Sequence, residues 1–434
     1  MIKKLMAYAM IVFSTVAIAQ QSTSSPYSFY GLGSLKFKGT VENQSMGGIS
    51  VYSDSIHINL RNPASYAGSN LSFYNNEARP MKFSIGTTFS NTKIETSSAS
   101  DKYGNFSIDY LALALPINKF GFGFGIIPYS SVGYSLQSRN ENNDLAFRYR
   151  GDGGINRVFL GLGYQLLKGL KVGVDTYYNF GNITNTSIAF GYNDQGEMLQ
   201  YQSRDDRRSD LGGFSFNFGV ILDQKISESL DLTASFTYTP QSEISSKNKN
   251  QFSTIAIDAN QVEFVQSTYE IDLQAINLDN TNLVLPSKIS FGAGIGKPRK
   301  WFLGFDYTLL EASKFSNRFV EIENSTFEDA SSVSIGGFFI PKYDSFSSYW
   351  KRIVFRTGAR FENTGLVVNN ESIDEFGISF GLGLPVGRLF SNANIGFEWG
   401  RRGTTNANLV EENFYNINLS LSLNERWFEK RKFN

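Results

Sequence analysis

Residues that could carry out acid–base, nucleophilic or metal chemistry are scarce in this chain of 434 residues. His57 is the only histidine, and there is no cysteine. A His-based metal cluster therefore cannot form, and neither thiol chemistry nor disulfide bonding is available. A single histidine could still serve a serine hydrolase, but no Gly-x-Ser-x-Gly elbow marks a nucleophile among the many serines. We therefore expect a protein that is not an enzyme and that holds no metal and no cofactor.

Two other motifs favour a structural interpretation over a chemical one. The acidic pair Asp205-Asp206 lies among three arginines, a pattern that is typical of a solvated loop. The Gly-Phe-Gly-Phe-Gly run at 121–125 alternates bulky and small residues, which indicates a strand and not a phosphate-binding loop. Basic and acidic residues number 40 each. The chain therefore has no excess of positive charge that would attract nucleic acid, so no nucleic-acid partner is expected.

The elements that must position any site are β-strands, because apolar and small polar residues alternate along most of the chain. The alternation is strict over 415–423, and clear copies occur over 214–220 and 230–238. Successive side chains point to opposite faces of a strand, so each of these strands has one apolar and one polar face. We find no convincing helical period of 3.6 residues after the N-terminal segment. The predicted fold class is all-β.

The N-terminus predicts export from the cytoplasm. Lys3 and Lys4 precede an apolar run over 5–18, and a small-x-small cleavage pattern follows, so 1–19 is predicted to be a signal peptide. A membrane anchor is the alternative, but the run is short and no other long apolar segment follows. Charged residues make up 18% of the chain and aromatic residues 15%. This composition favours a β-barrel in the outer membrane of a Gram-negative cell over a secreted sandwich or solenoid.

Connector lengths give a second indication of a barrel. Tight connections such as 116–119 alternate with long polar stretches such as 139–152, as in bacterial barrels with short periplasmic turns and longer outer loops. Fourteen candidate strands can be placed between 80 and 424, among them 230–245 and 283–296. This count predicts a transmembrane antiparallel β-barrel with both chain ends in the periplasm. Residues 425–434 would then form a periplasmic C-terminal tail.

Residues 20–79 do not share the alternation and are rich in Gly, Ser and Asn. They form either a disordered tail or a hatch folded inside the barrel. A barrel of fourteen strands encloses space that something must fill or gate, so we favour the hatch, or plug. Phe29, Tyr30 and Leu32 are candidates to line a ligand pocket near the N-terminus. Packing within the plug is the alternative role for these three residues.

The sequence resembles the FadL-type family of outer-membrane transporters. Gly47 and Gly48, followed by Asn62-Pro63-Ala64, are similar to the N-terminal hatch of that family, in which a Gly-containing turn precedes an Asn-Pro-Ala signature. The likeness continues in family order through three further segments at 113–124, 164–174 and 285–307. The chain departs from the pattern by continuing past the last strand. It also lacks a clear basic cluster in the outer loops, which leaves the substrate open.

The resemblance implies a fourteen-stranded barrel with a hatch in its lumen. It also implies passive uptake of long-chain fatty acids or other hydrophobic compounds across the outer membrane. The implied partners are outer-membrane lipid and a hydrophobic small-molecule ligand. A different role is the alternative: a barrel partner of a protein-secretion machine that shuttles or caps cargo and conducts no solute.

The resemblance also assigns roles to residues. Movement of the hatch elements Gly47, Gly48 and Asn62-Pro63-Ala64 would couple binding to release, and a turn that anchors the plug to the wall is the structural alternative.

In the family the third barrel strand kinks inward and opens a hole in the wall. The corresponding residues are Ile127, Pro128, Tyr129 and Gly133. Proline cannot donate to a strand ladder, so Pro128 indicates either this lateral opening or a plain bulge.

Overall fold

The computed structural model describes residues 25–53, 56–68, 80–258, 260–315, 319, 324–386 and 391–425. The predicted signal peptide and all of the predicted C-terminal tail except Glu425 lie outside these residues. The described residues form the following strands: β1 Ser34–Leu35, β2 Met81–Glu95, β3 Ser100–Ile117, β4 Phe120–Arg139, β5 Leu145–Leu167, β6 Leu170–Ala189, β7 Gln202–Lys225, β8 Asp231–Thr239, β9 Ser242–Ile257, β10 Glu263–Glu270, β11 Asn280–Leu285, β12 Lys288–Lys297, β13 Trp301–Leu310, β14 Ser325–Phe327, β15 Ala330–Phe339, β16 Val354–Val368, β17 Glu371–Pro385, β18 Asn392–Gly403 and β19 Glu411–Glu425.

Helical structure is confined to short pieces. Helix α1 spans Val41–Gln44, and the 3-10 turns are Pro26–Phe29, Pro63–Tyr66, Gln274–Ile276, Ala312–Lys314, Tyr349–Arg352 and Asn406–Asn408. None of the helices in the described ranges is long and apolar enough to cross a membrane.

Fourteen strands close into an antiparallel barrel, which confirms the predicted fold class and count. Strands β2 to β8 pair in chain order, and β8 then pairs with β12. The ring continues through β13, β15, β16, β17 and β18 to β19, which pairs with β2 and closes it.

The barrel wall has an apolar outer face and a polar inner face. On β7 the outward Phe214 and Phe216 are 60% and 42% exposed, whereas the inward Ser215 and Asn217 are buried. In a soluble sandwich the apolar face points inward, whereas here it points outward, where lipid lies in a membrane barrel.

The wall is much taller on one side than on the other. Strands β12, β13 and β15 have 10 residues each, about the length that crosses a bilayer, whereas β5 and β7 have 23 and 24. Strands β9, β10 and β11 extend the tall side, where β9 lies beside the upper half of β7. The candidate strands at 230–245 and 283–296 each divide in two, at Pro240 and at Pro286. Proline has no N–H for the ladder, which is why the chain leaves the barrel wall at these points.

Residues 25–53 and 56–68, called the plug from here on, pack against the inner face of the barrel. The turn Pro63–Tyr66 contacts β4, β5, β6 and β7, and helix α1 contacts β17, β18 and β19. Glycine on the wall permits this approach, because a Cβ on Gly121 would clash with the carbonyl of Tyr66. The described part of the N-terminal segment therefore lies against the inner face of several barrel strands.

Candidate functional site

The Asn-Pro-Ala residues tie the plug to the wall. The Asn62 side chain accepts a hydrogen bond from the Ala64 backbone N–H at 3.0 Å, which caps the turn Pro63–Tyr66. Its amide nitrogen also donates to the carbonyls of Val220 on β7 and Phe236 on β8, at 3.1 and 3.4 Å. These are the contacts of an anchor. A role in coupling binding to release stays a prediction.

The glycine pair is anchored to a different part of the wall. Gly47 and Gly48 have φ angles of +68° and +85°, which residues with a side chain rarely adopt. The Gly47 N–H donates to the Ser379 hydroxyl on β17 at 2.9 Å, and a Cβ on Gly47 would lie 2.6 Å from the Ala359 carbonyl on β16. The structure therefore does not bring these glycines together with Asn62, Pro63 and Ala64 in one site.

Strand β4 parts from β3 at the residues where the kink was predicted, and we call 127–133 the bend; a lateral opening there stays a prediction. The ladder between β3 and β4 ends at Leu111 and Ile126, whereas the ladder between β4 and β5 continues to Arg139. The latter ladder shifts register between Pro128 and Ser130. The five consecutive residues from Ser130 to Tyr134 are all buried, which a strand with one face to lipid would not show.

The plug covers the strand edge that β3 has left. Strand β1 pairs with Ser130 and Ser131, and the Lys36 N–H donates to the Tyr129 carbonyl at 3.0 Å. The Ser28 hydroxyl lies 3.0 Å from the carbonyl of Gly133 and 3.1 Å from its N–H. The bend thus contains Ile127, Pro128, Tyr129 and Gly133. Backbone groups along its edge form hydrogen bonds with the plug and not with β3.

The three N-terminal pocket candidates take part mainly in packing. The Phe29 ring lies 5.0 Å from the Tyr134 ring and 5.2 Å from the Tyr30 ring, both edge-on. Leu32 is buried with Val132 in the cluster that joins the plug to β4. Tyr30 and Leu32 also line a cavity of about 120 Å³. Packing and pocket lining therefore overlap for these two residues.

A lumenal cavity of about 170 Å³ lies against the bend. Ile127, Pro128 and Tyr129 line it from β4, and Phe37 and Leu60 line it from the plug. Three of the four predicted bend residues therefore form one wall of a partly apolar space, which Gly133 does not line. We call this space the lumenal cavity.

The lumenal cavity is rich in positive charge. Among the described residues that line it, five are basic and one, Glu362, is acidic. The Arg157 guanidinium lies 3.5 Å above the Tyr129 ring and donates to the Asn179 side chain at 2.6 Å. Burial lowers the pKa of Arg61, and the nearby Asp306 carboxylate partly offsets that effect. The Lys288 ammonium makes no hydrogen bond or ion pair with any residue that the structure describes. Lys38 and Arg360 are paired with Glu375, and the remaining three cations give the cavity a positive charge that was not predicted from the sequence.

An ionic network borders the lumenal cavity through Lys38 and Arg360. Glu375, which is only 1% exposed, accepts from Lys38 of the plug, from Arg360 at 2.6 Å and from Arg402 at 2.8 Å. Arg360 also donates to Glu398 at 2.8 Å. Every charge in this network has an opposite charge beside it, so the network joins β16, β17, β18 and the plug.

His57 lies beside helix α1 of the plug. Its Nε2 lies 4.0 Å from Glu42. Within the described ranges, no group of three His, Asp or Glu side chains could hold a metal ion.

Comparison with known proteins gives a family and a fold. The model of the BamG family matches residues 1–434. No curated protein matches the chain.

Three solved structures share the fold at low sequence identity. The Pseudomonas putida toluene transporter TodX is 14% identical, with a TM-score of 0.56, over 91% of this chain and 100% of that one. The CymD monoaromatic hydrocarbon channel is 12% identical, with a TM-score of 0.54, over 89% and 97%. A Pseudomonas aeruginosa FadL homologue is 12% identical, with a TM-score of 0.54, over 90% and 98%. At such identities the likeness shows the fold alone.

Proposed function

The chain belongs to the BamG family, and we propose that it is an outer-membrane channel for the passive uptake of hydrophobic small molecules. Long-chain fatty acids or hydrocarbons would be its cargo. The observation that carries the proposal is the loss of the β3–β4 ladder beyond Ile126, directly beside the lumenal cavity. The names of the structural neighbours TodX and CymD, a toluene transporter and a monoaromatic hydrocarbon channel, support the hydrophobic cargo.

The proposed orientation follows from the strands. The predicted signal peptide would send the chain across the inner membrane. The end of the barrel with short turns, where β2 begins and β19 ends, would face the periplasm, and the tall wall would face outward.

The lumenal cavity suits a molecule with an apolar body and one anionic end. Phe37, Leu60 and Ile127 offer apolar contact, whereas Arg157 and Lys288 offer positive charge. A carboxylate at these two cations would gain charge-assisted hydrogen bonds, which are about twice as strong as neutral ones. Fatty acids would thus be held more tightly than neutral hydrocarbons of equal length.

Release would proceed sideways between β3 and β4. The barrel ladder is already absent there, so only the plug contacts along β4 must separate. A backbone hydrogen bond contributes about 1 kcal/mol net, so parting the few bonds between β1 and β4 costs far less than opening an intact ladder. Proposed movement of Gly47, Gly48 and the Asn62–Ala64 turn would accompany this step.

Uptake of labelled palmitate and labelled toluene by a Gram-negative host without its own fatty-acid channel tests the proposal. Cells that make the protein should accumulate both compounds faster than cells with an empty vector. Uptake of a hydrophilic sugar should not change, which excludes a general leak. Mass spectrometry of the purified protein should recover retained fatty acids or hydrocarbons.

A second candidate function is that of a barrel partner in a protein-secretion machine. The observation that favours it is the small size of the lumenal cavity, about 170 Å³. Small-molecule sites usually measure roughly 300–1,000 Å³. Absence of uptake and of retained small molecules, together with tight copurification with large membrane proteins, would support this candidate and overturn the channel.

A further inference from the structure

A second cavity, larger than the lumenal cavity, lies away from it at the short-turn end. It measures about 450 Å³ and lies between the plug and the turns that join β12 to β13 and β15 to β16. We call it the rim cavity. Its volume falls within the range of small-molecule binding sites. The proposed channel does not use it.

The walls of the rim cavity are aromatic and apolar. The Tyr52 ring of the plug lies 4.8 Å from the ring of Phe302 and 4.8 Å from that of Phe338. Ile340 and Val354 complete this surface. Such walls favour an alkyl chain, because burying each methylene contributes about 0.8 kcal/mol.

The edge of the rim cavity is basic. Lys297, Arg299 and Arg352 line it from the two turns. The Arg299 guanidinium lies 5.0 Å above the Tyr343 ring. The Arg352 Nε is buried and has no hydrogen-bond partner in the described structure. A buried donor without a partner costs free energy that a bound anion would recover.

Acidic side chains also line the cavity. Asp223 and Asp231 approach from β7 and β8, and Glu42 approaches from α1. Asp223 is already paired with Lys171 at 2.9 Å, and Glu42 accepts from Asn394 at 2.7 Å. Asp231 is paired across the ladder with Gly296, next to Lys297, so one carboxylate borders the basic edge. Three basic side chains against this one carboxylate leave the edge at the β12–β13 and β15–β16 turns with net positive charge.

We propose that the rim cavity binds an acyl chain that carries an anionic head group. The chain would lie against Tyr52, Phe302 and Phe338, and the head group would contact Lys297, Arg299 and Arg352. Charge-assisted hydrogen bonds to carboxylate or phosphate oxygens would fix the head group. The site does not depend on lateral release or on Arg157 and Lys288.

The turn that borders the cavity places the site at the membrane surface. Residues 340–353 form the longest described turn at this end, and it exposes Phe346 fully and Trp350 to 74%. Lys342 and Lys351 lie in the same turn. Aromatic side chains concentrate where lipid meets water, and lysines there attract anionic head groups. The ligand could therefore come from two sources, a phospholipid of the periplasmic leaflet or a free fatty acid.

Photo-crosslinking of the full chain in detergent tests the site. Two probes carry a diazirine on the acyl chain: palmitic acid and a phosphatidylglycerol. After irradiation, labelled positions are mapped by mass spectrometry of peptides. Either probe should label the inward-facing Phe302 and Phe338 and the neighbouring Tyr343. Labelling by phosphatidylglycerol would assign a leaflet lipid, and labelling by palmitic acid alone would assign a free fatty acid.

Variants separate specific binding from contact with the detergent layer. Lys297→Glu together with Arg299→Glu should reduce labelling at Phe302 and Phe338 about tenfold. Val354→Trp, which fills the cavity without changing charge, should reduce it as well. Lys168→Glu reverses one charge, half the change of the double variant, at an exposed position in the β5–β6 turn and should leave the labelling unchanged.

Two results would overturn the site. One is absence of label at Phe302 and Phe338 with both probes. The other is label that persists at wild-type level in folded Val354→Trp and in the folded double variant. Lys288→Met should not change this labelling, so loss of uptake through the lumenal cavity and loss of the rim site give different results.

Discussion

Two sets of contacts hold the same plug by different chemistry. In one, Lys38 of the plug joins a buried network in which Glu375 also accepts from Arg360 and Arg402. In the other, backbone hydrogen bonds join β1 to β4, beside a gap in the wall. Both sets border the lumenal cavity, because Lys38 and Arg360 line it together with Lys288. The charges of the first set are paired with one another, whereas the Lys288 ammonium has no partner among the described residues.

This difference indicates which contacts are fixed and which can open. Removing one partner from a buried ion pair costs roughly 3–5 kcal/mol, because it leaves an uncompensated charge. Parting one backbone hydrogen bond costs about 1 kcal/mol. We therefore infer that the ionic contacts attach the plug and that the contacts along β4 are the ones that separate. Three substitutions test this difference.

Glu375→Gln should have the largest effect, on stability. It removes the charge that Lys38, Arg360 and Arg402 share, so the free energy of unfolding should fall by roughly 3–5 kcal/mol. The temperature at which the folded barrel loses its anomalous gel mobility measures this loss. Glu228→Gln, in an exposed turn without a partner, should change stability by less than about 0.5 kcal/mol. A Glu375→Gln barrel as stable as the wild type would remove the distinction between the two sets of contacts.

Lys288→Met should have the opposite effect: it should lower palmitate uptake without lowering stability. Loss of an unpaired cation should leave the barrel at least as stable, because no ion pair is broken. Palmitate uptake should fall about tenfold, which corresponds to roughly 1.4 kcal/mol of binding, whereas toluene uptake should not change. Lys247→Met, on the exposed face of β9, is the matched control. Equal loss of palmitate and toluene uptake would show that Lys288 supports the structure and not the carboxylate.

Pro128→Val should have the smallest effect, confined to uptake. Valine restores an N–H and favours a regular strand, so β4 should straighten toward β3 and narrow the gap. We expect hydrophobic uptake to fall about fivefold, without reduced assembly. One additional hydrogen bond would stabilise the narrowed gap by about 1 kcal/mol, which corresponds to a factor of about five. Uptake of palmitate and the amount of folded barrel in the membrane are the two measurements. Unchanged uptake would leave Pro128 as a plain bulge.

Alternation and connector length were enough to predict the barrel, because both are local in sequence. The outward Phe214 and Phe216 and the inward Ser215 follow directly from the period of two. The breaks at Pro240 and Pro286 were missed because the alternation continues on both sides of each proline. The loss of a ladder donor at proline was the signal that could have placed them.

The charges of the lumen could not be predicted in the same way. Arg157 and Lys288 lie 131 residues apart, and Lys38 lies 337 residues from Glu375, so only the closed barrel brings them together. A local signal did exist for Arg157, since the period of two places it on the same inward face of β5 as the buried Ile155 and Phe159. The bend at Pro128 was predicted, but its contact with β1 depends on the plug's path through the lumen.

The central claim is that the plug must part from the bent edge of β4 for cargo to leave. Leu35 and Ser130 are paired across β1 and β4, and the chain has no cysteine of its own. Leu35→Cys with Ser130→Cys therefore creates a single reversible crosslink at a paired position, where backbone spacing suits a disulfide. Thr237→Cys with Ser290→Cys places the same crosslink in the intact β8–β12 ladder as a control.

Palmitate uptake in the crosslinked cells, before and after reduction, is the most direct measurement. We predict that the oxidised Leu35–Ser130 variant takes up palmitate at the rate of the empty vector and that reduction restores uptake. The control crosslink should have no effect in either state. Full palmitate uptake by the oxidised Leu35–Ser130 variant would contradict the account.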